Sequence, residues 1–289
     1  MNSIKLGLLF LIIFFPSLFF IVSRQSSKEL QLELYGPDEV EVPILMFHRV
    51  REEIVSPSVD VTPAQFREFI LAMKDEGFTP VSFKELDAYV NGKGNLPKKP
   101  FVITFDDGYL CNFELAFPIL LELKVPANIN IIGSRRGADT YMERPSTPHF
   151  TWENAAEMFF SGLIEIGNHS FEMHGSPGRT IGRIGVVPLD GEPIEDFIYA
   201  FKKDLDLFYG YFYTFFGEPP RVFAYPFGWA SEVTERILYE NGYTVTLLTG
   251  ESISTVYRND PSSLFGLKRI NVSGDFSNDD LIRRVSASN

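Results

Sequence analysis

The chain has 289 residues, of which 45% are hydrophobic and 28 are Phe, with a formal net charge of −12 and a single cysteine, Cys111. That length holds one large domain with a full core, the apolar content argues against a disordered chain, and the acidic balance argues against nucleic acid, whose binders need a basic face to release counterions. One cysteine forbids an intramolecular disulfide, so an oxidising compartment is permitted but unused, and Cys111 reads as a small buried apolar side chain.

Leu6 to Val22 is an almost unbroken apolar run, with Lys5 before it and Arg24 after it. As a helix it would span about 26 Å, just short of the ~30 Å of a bilayer's hydrocarbon layer. Phe20-Ile21-Val22-Ser23 offers only one small residue for processing, so residues 1–24 are expected to be an uncleaved membrane anchor rather than a cleaved signal segment. Such a segment places the rest of the chain outside the cytoplasm, secreted if it were cleaved. Residues 25–41 read as a polar tether and 42–289 as the catalytic domain.

The first strand is expected at Val42 to Phe47, delivering His48 at its end. Thr62-Pro63-Ala64-Gln65 is a capping box with Pro at the first helical position. Phe66, Phe69, Ile70 and Met73 then give the helix an apolar face, and Gly77 ends it. Ser82-Phe83-Lys84-Glu85 opens a second helix.

The apolar run Phe101-Val102-Ile103 leads into Thr104-Phe105-Asp106-Asp107-Gly108, a buried strand ending on two adjacent carboxylates. Neighbouring strand residues face opposite sides, so one acid can bind a cation while the other stays free as a base. Further strands are expected at Ala127 to Ile132, Leu163 to Gly167, Val222 to Tyr225, Val245 to Leu248 and Leu267 to Val272. Helices intervene at Ile119 to Leu123, from Thr151 to Ser161, along Ile194 to Phe216 and from Ser231 to Glu240, and Ser277 caps a last one. Alternating strands and helices with buried strands imply an α/β fold, most economically a (β/α) barrel. In that architecture chemistry sits at the strand C-termini, where His48, Asp106, Asp107, His169 and Pro226 fall.

His169 and His174 lie five positions apart, directly after a strand, in a chain with only four histidines. With one Asp of the pair they make a two-imidazole, one-carboxylate donor set, which leaves coordination positions open for water and substrate. One divalent ion is expected, Zn by default, though Co, Ni, Fe or Mn accept the same donors. His149 and Trp152 read as structural. The Gly175–Gly191 stretch, with Arg179 and Arg183, reads as a solvated insertion.

Taken together, Leu45-Met46-Phe47-His48, Thr104 to Gly108, Thr151-Trp152-Glu153, Glu165 to Ser170 with His174, and Phe223-Ala224-Tyr225-Pro226-Phe227-Gly228 resemble the polysaccharide deacetylases of carbohydrate esterase family 4, which carry the NodB-homology domain. The resemblance covers about residues 42 to 272 and implies a distorted (β/α) barrel. It also implies that Asp106 is the general base, that Asp107, His169 and His174 hold the metal, and that the backbone N–H of Phe227 helps hold the oxyanion. The implied activity is removal of N-acetyl groups from an N-acetylglucosamine-containing polysaccharide.

The chain departs from the family pattern in three places. The histidines are one residue further apart than in many relatives, as in the branch acting on exported poly-N-acetylglucosamine. Ala224-Tyr225-Pro226-Phe227 stands where an Arg-Pro-Pro-Tyr segment is common, and Arg221 is near but at a different spacing. Leu267-Lys268-Arg269 replaces the Leu-x-His segment that supplies a general acid. Something must protonate the departing amine, and His48 is the expected acid, placed early in the chain as in that branch. Two alternatives stand beside N-deacetylation: a carbohydrate-binding protein on the same fold without turnover, and an O-acetyl esterase.

Overall fold

A computed structural model describes residues 38–135, 137, 147–175 and 183–286, and Glu39–Asn289 form one compact unit. The expected anchor at Leu6 to Val22 lies outside the described residues, among which no helix is long and apolar enough to cross a membrane. Arg179 also lies outside them.

The chain runs β1 (Glu39–Val42), β2 (Ile44–Phe47), β3 (Arg49–Val50), β4 (Asp60–Val61), α1 (Pro63–Asp75), β5 (Thr79–Pro80), α2 (Phe83–Val90), β6 (Pro100–Phe105), α3 (Phe117–Leu123), β7 (Ala127–Ile131), α4 (Trp152–Phe160) and β8 (Ile164–Asn168). It continues through α5 (Ile194–Phe216), β9 (Val222–Ala224), α6 (Glu232–Glu240), β10 (Val245–Leu247), β11 (Ser254–Tyr257), β12 (Ile270–Asn271) and α7 (Asn278–Ser286). The expected capping boxes form: Thr62 and Ser82 accept the N–H of Gln65 and Glu85, whose side chains answer the cap backbone. The fold begins earlier than expected. Glu39 to Glu41 belong to β1, which pairs antiparallel with β11, because Val40 and Val42 bury against Val256 and the α2 side chains.

The main sheet is all parallel, in the order β10-β9-β8-β7-β6-β2-β12, with β5 pairing β6. Its two edges meet. Leu247 of β10 bridges Leu267, three residues before β12, and the Leu248 N–H donates to the Leu267 carbonyl. The segment 267–271 therefore touches both edges and closes a distorted barrel. The strand expected over Leu267 to Val272 is regular only at Ile270–Asn271, because its first residues reach for one edge and its last for the other.

Strand alternation separates two environments. Leu45, Phe47, Phe101, Ile103, Phe105, Ile129, Ile131, Ile164 and Ile166 pack in one cluster with side chains of α1, α3, α4 and α5. Ile44, Val102, Val222, Val245 and Leu247 face a second cluster, filled by Phe83, Leu86, Tyr89 and Val90 of α2. On that inner face the next layer is polar and buried: Thr104, Asn128, Asn130 and Arg269 are all 0% exposed. Gly167 makes room for this layer, since a Cβ there would sit 2.1 Å from Asn130 Oδ1. Gly167→Ala should therefore destabilise the fold by about 1–3 kcal/mol in urea unfolding; an unchanged midpoint would show that the Asn130 amide does not fill that space.

Candidate active site and metal centre

The inner face carries its polar layer up to the C-terminal ends of β2, β6, β8 and β9. There Met46, His48, Asp106, Asp107, Tyr109, Arg135, His169, His174 and Phe227 line a cleft of about 320 Å³, at the lower end of the ~300–1,000 Å³ range of small-ligand sites.

Asp106 follows β6 directly and is 3% exposed. Its carboxylate is held from two sides. The Arg269 guanidinium donates Nη1–H to Oδ1 and Nη2–H to Oδ2, both at 2.7 Å, and the Asn130 amide donates to Oδ1 at 2.9 Å. Arg269 is itself wholly buried and donates its Nε–H to the Leu248 carbonyl at 2.9 Å. Burial alone would push the Asp106 carboxyl up, but Arg269, and then His169 and His48, outweigh it and hold it well below the ordinary carboxylate range.

Asp107 turns out of the strand with a left-handed backbone, φ 73°, and Gly108 continues the turn at φ 81°. Its Oδ1 is buried and accepts no hydrogen bond, yet lies 3.5 Å from His169 Nε2 and 3.4 Å from His174 Nε2. A buried carboxylate oxygen without a donor is costly. A cation would satisfy it: bonds of ~2.0–2.2 Å to a tetrahedral ion put neighbouring ligand atoms about 3.4 Å apart, close to both Asp107–imidazole distances. Asp107, His169 and His174 are the group among the described residues with metal-site spacing, their ligand atoms all within 4.8 Å of one another.

His169 is already oriented for a ligand's role. Its Nδ1 is 2.8 Å from the Ala224 carbonyl, so Nδ1 carries the proton and Nε2 presents its lone pair. Burial pushes His174 down to about 4 against the opposing pull of Asp107, leaving that imidazole neutral near pH 6. Asp107 is held below its ordinary range because its imidazole neighbours, His174 first, outweigh the upward push of burial.

His48 lines the same cleft, and its Nδ1 is buried without a hydrogen-bond partner. Its backbone is pinned by Asn112, whose amide donates to the His48 carbonyl at 2.7 Å and accepts the Val50 N–H at 3.2 Å. Asn112 opens a π-helical turn, Asn112–Ala116, ahead of α3, a distortion common near functional sites. Phe227 sits in a left-handed conformation, φ 61°, with its ring 4.6 Å from that of His174. Among the described residues six non-glycines have positive φ, and three of them, Asp107, Ser170 and Phe227, border the two imidazoles. Strain of this kind gathers where side chains must be aimed.

The cleft thus gathers every residue expected to act: His48, Asp106, Asp107, His169, His174 and Phe227. Arg269 was missed by sequence reasoning, as were Asn130 and Asn112. A Lys-Arg pair in a short strand reads as solvent-facing, and the one clue to Arg269 was that Ala224-Tyr225-Pro226-Phe227 lacks the arginine of the Arg-Pro-Pro-Tyr segment. Arg221 lies elsewhere, beside Glu165 and Glu218 in a pocket with Phe83 of α2. His149 is buried with its ring 4.9 Å from Tyr109, Trp152 is core against Phe208, Phe215 and Phe216, and Arg183 pairs with Glu192. Burial raises the Cys111 thiol to about 11, which keeps it protonated and inert.

A family model described as polysaccharide deacetylase matches residues 93–246. Among curated proteins the chain is similar to the poly-beta-1,6-N-acetyl-D-glucosamine N-deacetylase of Escherichia coli O157:H7, 27% identical over 240 residues, covering 77% of this chain but only 36% of that protein. A protein of the same name from Staphylococcus aureus strain MRSA252 is 25% identical over 215 residues, covering 74% of this chain and 68% of the relative. Solved structures share the fold: IcaB from Ammonifex degensii at TM-score 0.71 and 24% identity, covering 86% of this chain and 97% of that one. A de-N-acetylase from Aggregatibacter actinomycetemcomitans matches at TM-score 0.72 and 21% identity, covering 85% and 100%.

Two outcomes follow from this geometry. Arg269→Met leaves the Asp106 carboxylate buried without its cation and should cost about 3–5 kcal/mol in denaturant unfolding at pH 7; a loss under ~1 kcal/mol, the scale of an exposed ion pair, would show that the pairing is not buried. In metal-free protein the His174 ring should titrate near pH 4 in an NMR titration, against an ordinary value of 6.5. The unfolded chain takes that proton first, so metal-free stability falls as pH drops from 6.5 toward about 4. A midpoint near 6.5 would mean that the imidazole is solvated.

Proposed function

Because the chain belongs to the polysaccharide deacetylase family, we propose that it removes N-acetyl groups from a poly-N-acetylglucosamine-type polysaccharide, with one divalent cation, Zn by preference, held by Asp107, His169 and His174. The observation that carries this reading is the division of labour between adjacent carboxylates. Asp107 faces two imidazoles with its Oδ1 unsatisfied, while Asp106 is taken by Arg269 and Asn130. A cation bound there supplies Lewis acidity, polarising the acetamide carbonyl and making a water molecule acidic enough to lose its proton near neutral pH.

Asp106 accepts that proton. Paired with Arg269, which keeps it ionised far below neutrality, it is a weak base, since a base works best when its pKa lies near the operating pH. The pairing instead guarantees an anion of fixed orientation within reach of the water. The Phe227 N–H, held in place by the left-handed turn at Pro226–Gly228, donates to the carbonyl oxygen as negative charge develops on it. His48 delivers a proton to the departing amine, since an amide nitrogen leaves poorly as an anion. The Leu-x-His segment is absent late in the chain, and His48 offers an imidazole on the same rim. That removes the motive for reading the protein as a binder without turnover.

The substrate and the setting belong to the same proposal. The E. coli and S. aureus relatives are named for poly-beta-1,6-N-acetyl-D-glucosamine, and the apolar Leu6–Val22 segment fits a membrane anchor that holds the enzyme at the outer face of the cytoplasmic membrane. Acetate release from N-acetylglucosamine oligomers should stop on chelation, return with added Zn and be lost in Asp106→Asn with the metal retained. His48→Ala should lower kcat on amides by about 10²–10⁴-fold and far less on activated acetyl esters, whose leaving groups need little protonation. Equal losses on both would remove His48 from the acid role, and turnover of esters alone would make the enzyme an O-acetyl esterase.

A further inference from the structure

Residues 170–173 connect the two imidazoles, and nearly all of that connection is tied down. The Ser170 and Phe171 carbonyls accept the N–H groups of Gly133 and Ser134, the Met173 carbonyl accepts that of Gly185, and Arg135 donates to the His174 carbonyl at 2.7 Å. The Met173 N–H is bonded to Ser170 Oγ at 3.0 Å. The Phe171 and Glu172 amides point at a side chain from α5. Phe171 N–H donates to Asp204 Oδ2 at 2.7 Å and Glu172 N–H to Asp204 Oδ1 at 2.8 Å.

Asp204 has no other evident reason to stand where it does. The inward stripe of α5 is Phe197, Phe201, Asp204, Leu205, Phe208, Phe212 and Phe216, so an acid occupies a position that helical periodicity reserves for an apolar residue. It is 5% exposed, and burying a carboxylate is costly unless charge-assisted hydrogen bonds compensate. Those bonds go to the backbone of the loop, which starts with Ser170 in the left-handed region at φ 66°. A left-handed residue followed by successive N–H groups forms a concave anion site. Here the anion is part of the protein.

We propose that Asp204 is a positioning residue for the metal centre: it clamps the inter-imidazole loop so that His174 is preset against His169 and Asp107 before any ion arrives. The inference rests on the metal-dependent reading above. Without the clamp two N–H groups lose their acceptor, the loop samples other conformations, and His174 Nε2 is no longer held 3.4 Å from Asp107 Oδ1. The ion must then order the loop as it binds, and affinity falls. The wide spacing of the two histidines makes the need acute, since a longer connection has more freedom to lose.

Asn is the discriminating replacement. It fills the same volume but offers one oxygen, turning an N–H toward the second amide. At pH 7.5 Asp204→Asn should bind Zn 10–100-fold more weakly in competition with a chromophoric chelator, while the metal-free protein melts within a few degrees of the parent. Asp206→Asn, on the exposed face of the same helix, should bind Zn like the parent. Equal Zn affinity in Asp204→Asn and parent would overturn the clamp. So would a fall in melting temperature with affinity unchanged, which is what a purely structural role would give.

A second measurement needs no variant. In metal-free parent the Phe171 and Glu172 amides should be protected from hydrogen exchange, and exchange at unprotected rates would overturn the proposal even if Asp204→Asn failed to fold. The two readings fail separately. A parent that binds Zn and releases no acetate sinks the deacetylase and leaves the clamp, whereas a parent that binds no Zn sinks both.

Discussion

Two carboxylates on consecutive residues cannot both stay ionised at the buried end of a strand unless each is compensated by a different positive partner. Asp106 and Asp107 meet this constraint by separation. The left-handed turn at Asp107 sends the second carboxylate toward His169 and His174, while the first stays on the inner face with Arg269. Arg269 rather than Lys suits the position, since a planar guanidinium satisfies both oxygens of one carboxylate and keeps its Nε–H for the Leu248 carbonyl. Asp107 is left with an oxygen that no protein donor satisfies, and a cation is the chemically natural partner for it.

Barrel closure and catalytic chemistry are one construction. Arg269 lies in the segment that bridges β10 at Leu267 and β2 at Ile270, so the residue neutralising Asp106 is delivered by the piece of chain that joins the two sheet edges. The polar inner layer follows from this. Thr104 accepts a long contact from Arg269 at 3.4 Å and donates to the Leu45 carbonyl, Asn130 donates to Asp106, and Gly167 is small so that Asn130 fits. An apolar barrel interior would be easier to bury, but it could not hold an anion at its mouth.

The alternation of strands and helices was legible from periodicity and capping boxes, and the helix over Ile194 to Phe216 appears with those bounds. So was the cleft: strand ends collect side chains in this architecture, and the chain puts its rare histidines and its paired acids there. What stayed hidden were partners set by tertiary closure. Arg269 and Asp106 are 163 residues apart, and nothing local distinguishes a buried Arg from an exposed one. Strands β1 and β11 pair across the chain in short mixed-polarity segments whose local pattern resembles linker. Asp204 was within reach, because an acid on the apolar stripe of a long helix breaks the pattern and must have a partner.

The account stands on one ion held by three side chains drawn from two strand ends and the loop between the histidines. Crystals of the Zn-loaded protein, measured at the Zn absorption edge, test it most directly. One anomalous peak per chain is expected at ~2.0–2.2 Å from an Asp107 carboxylate oxygen and from Nε2 of His169 and His174, with the Asp106 carboxylate still paired to Arg269. A peak ligated by Asp106, or a metal bound away from both imidazoles, would contradict the division of labour on which the chemistry depends.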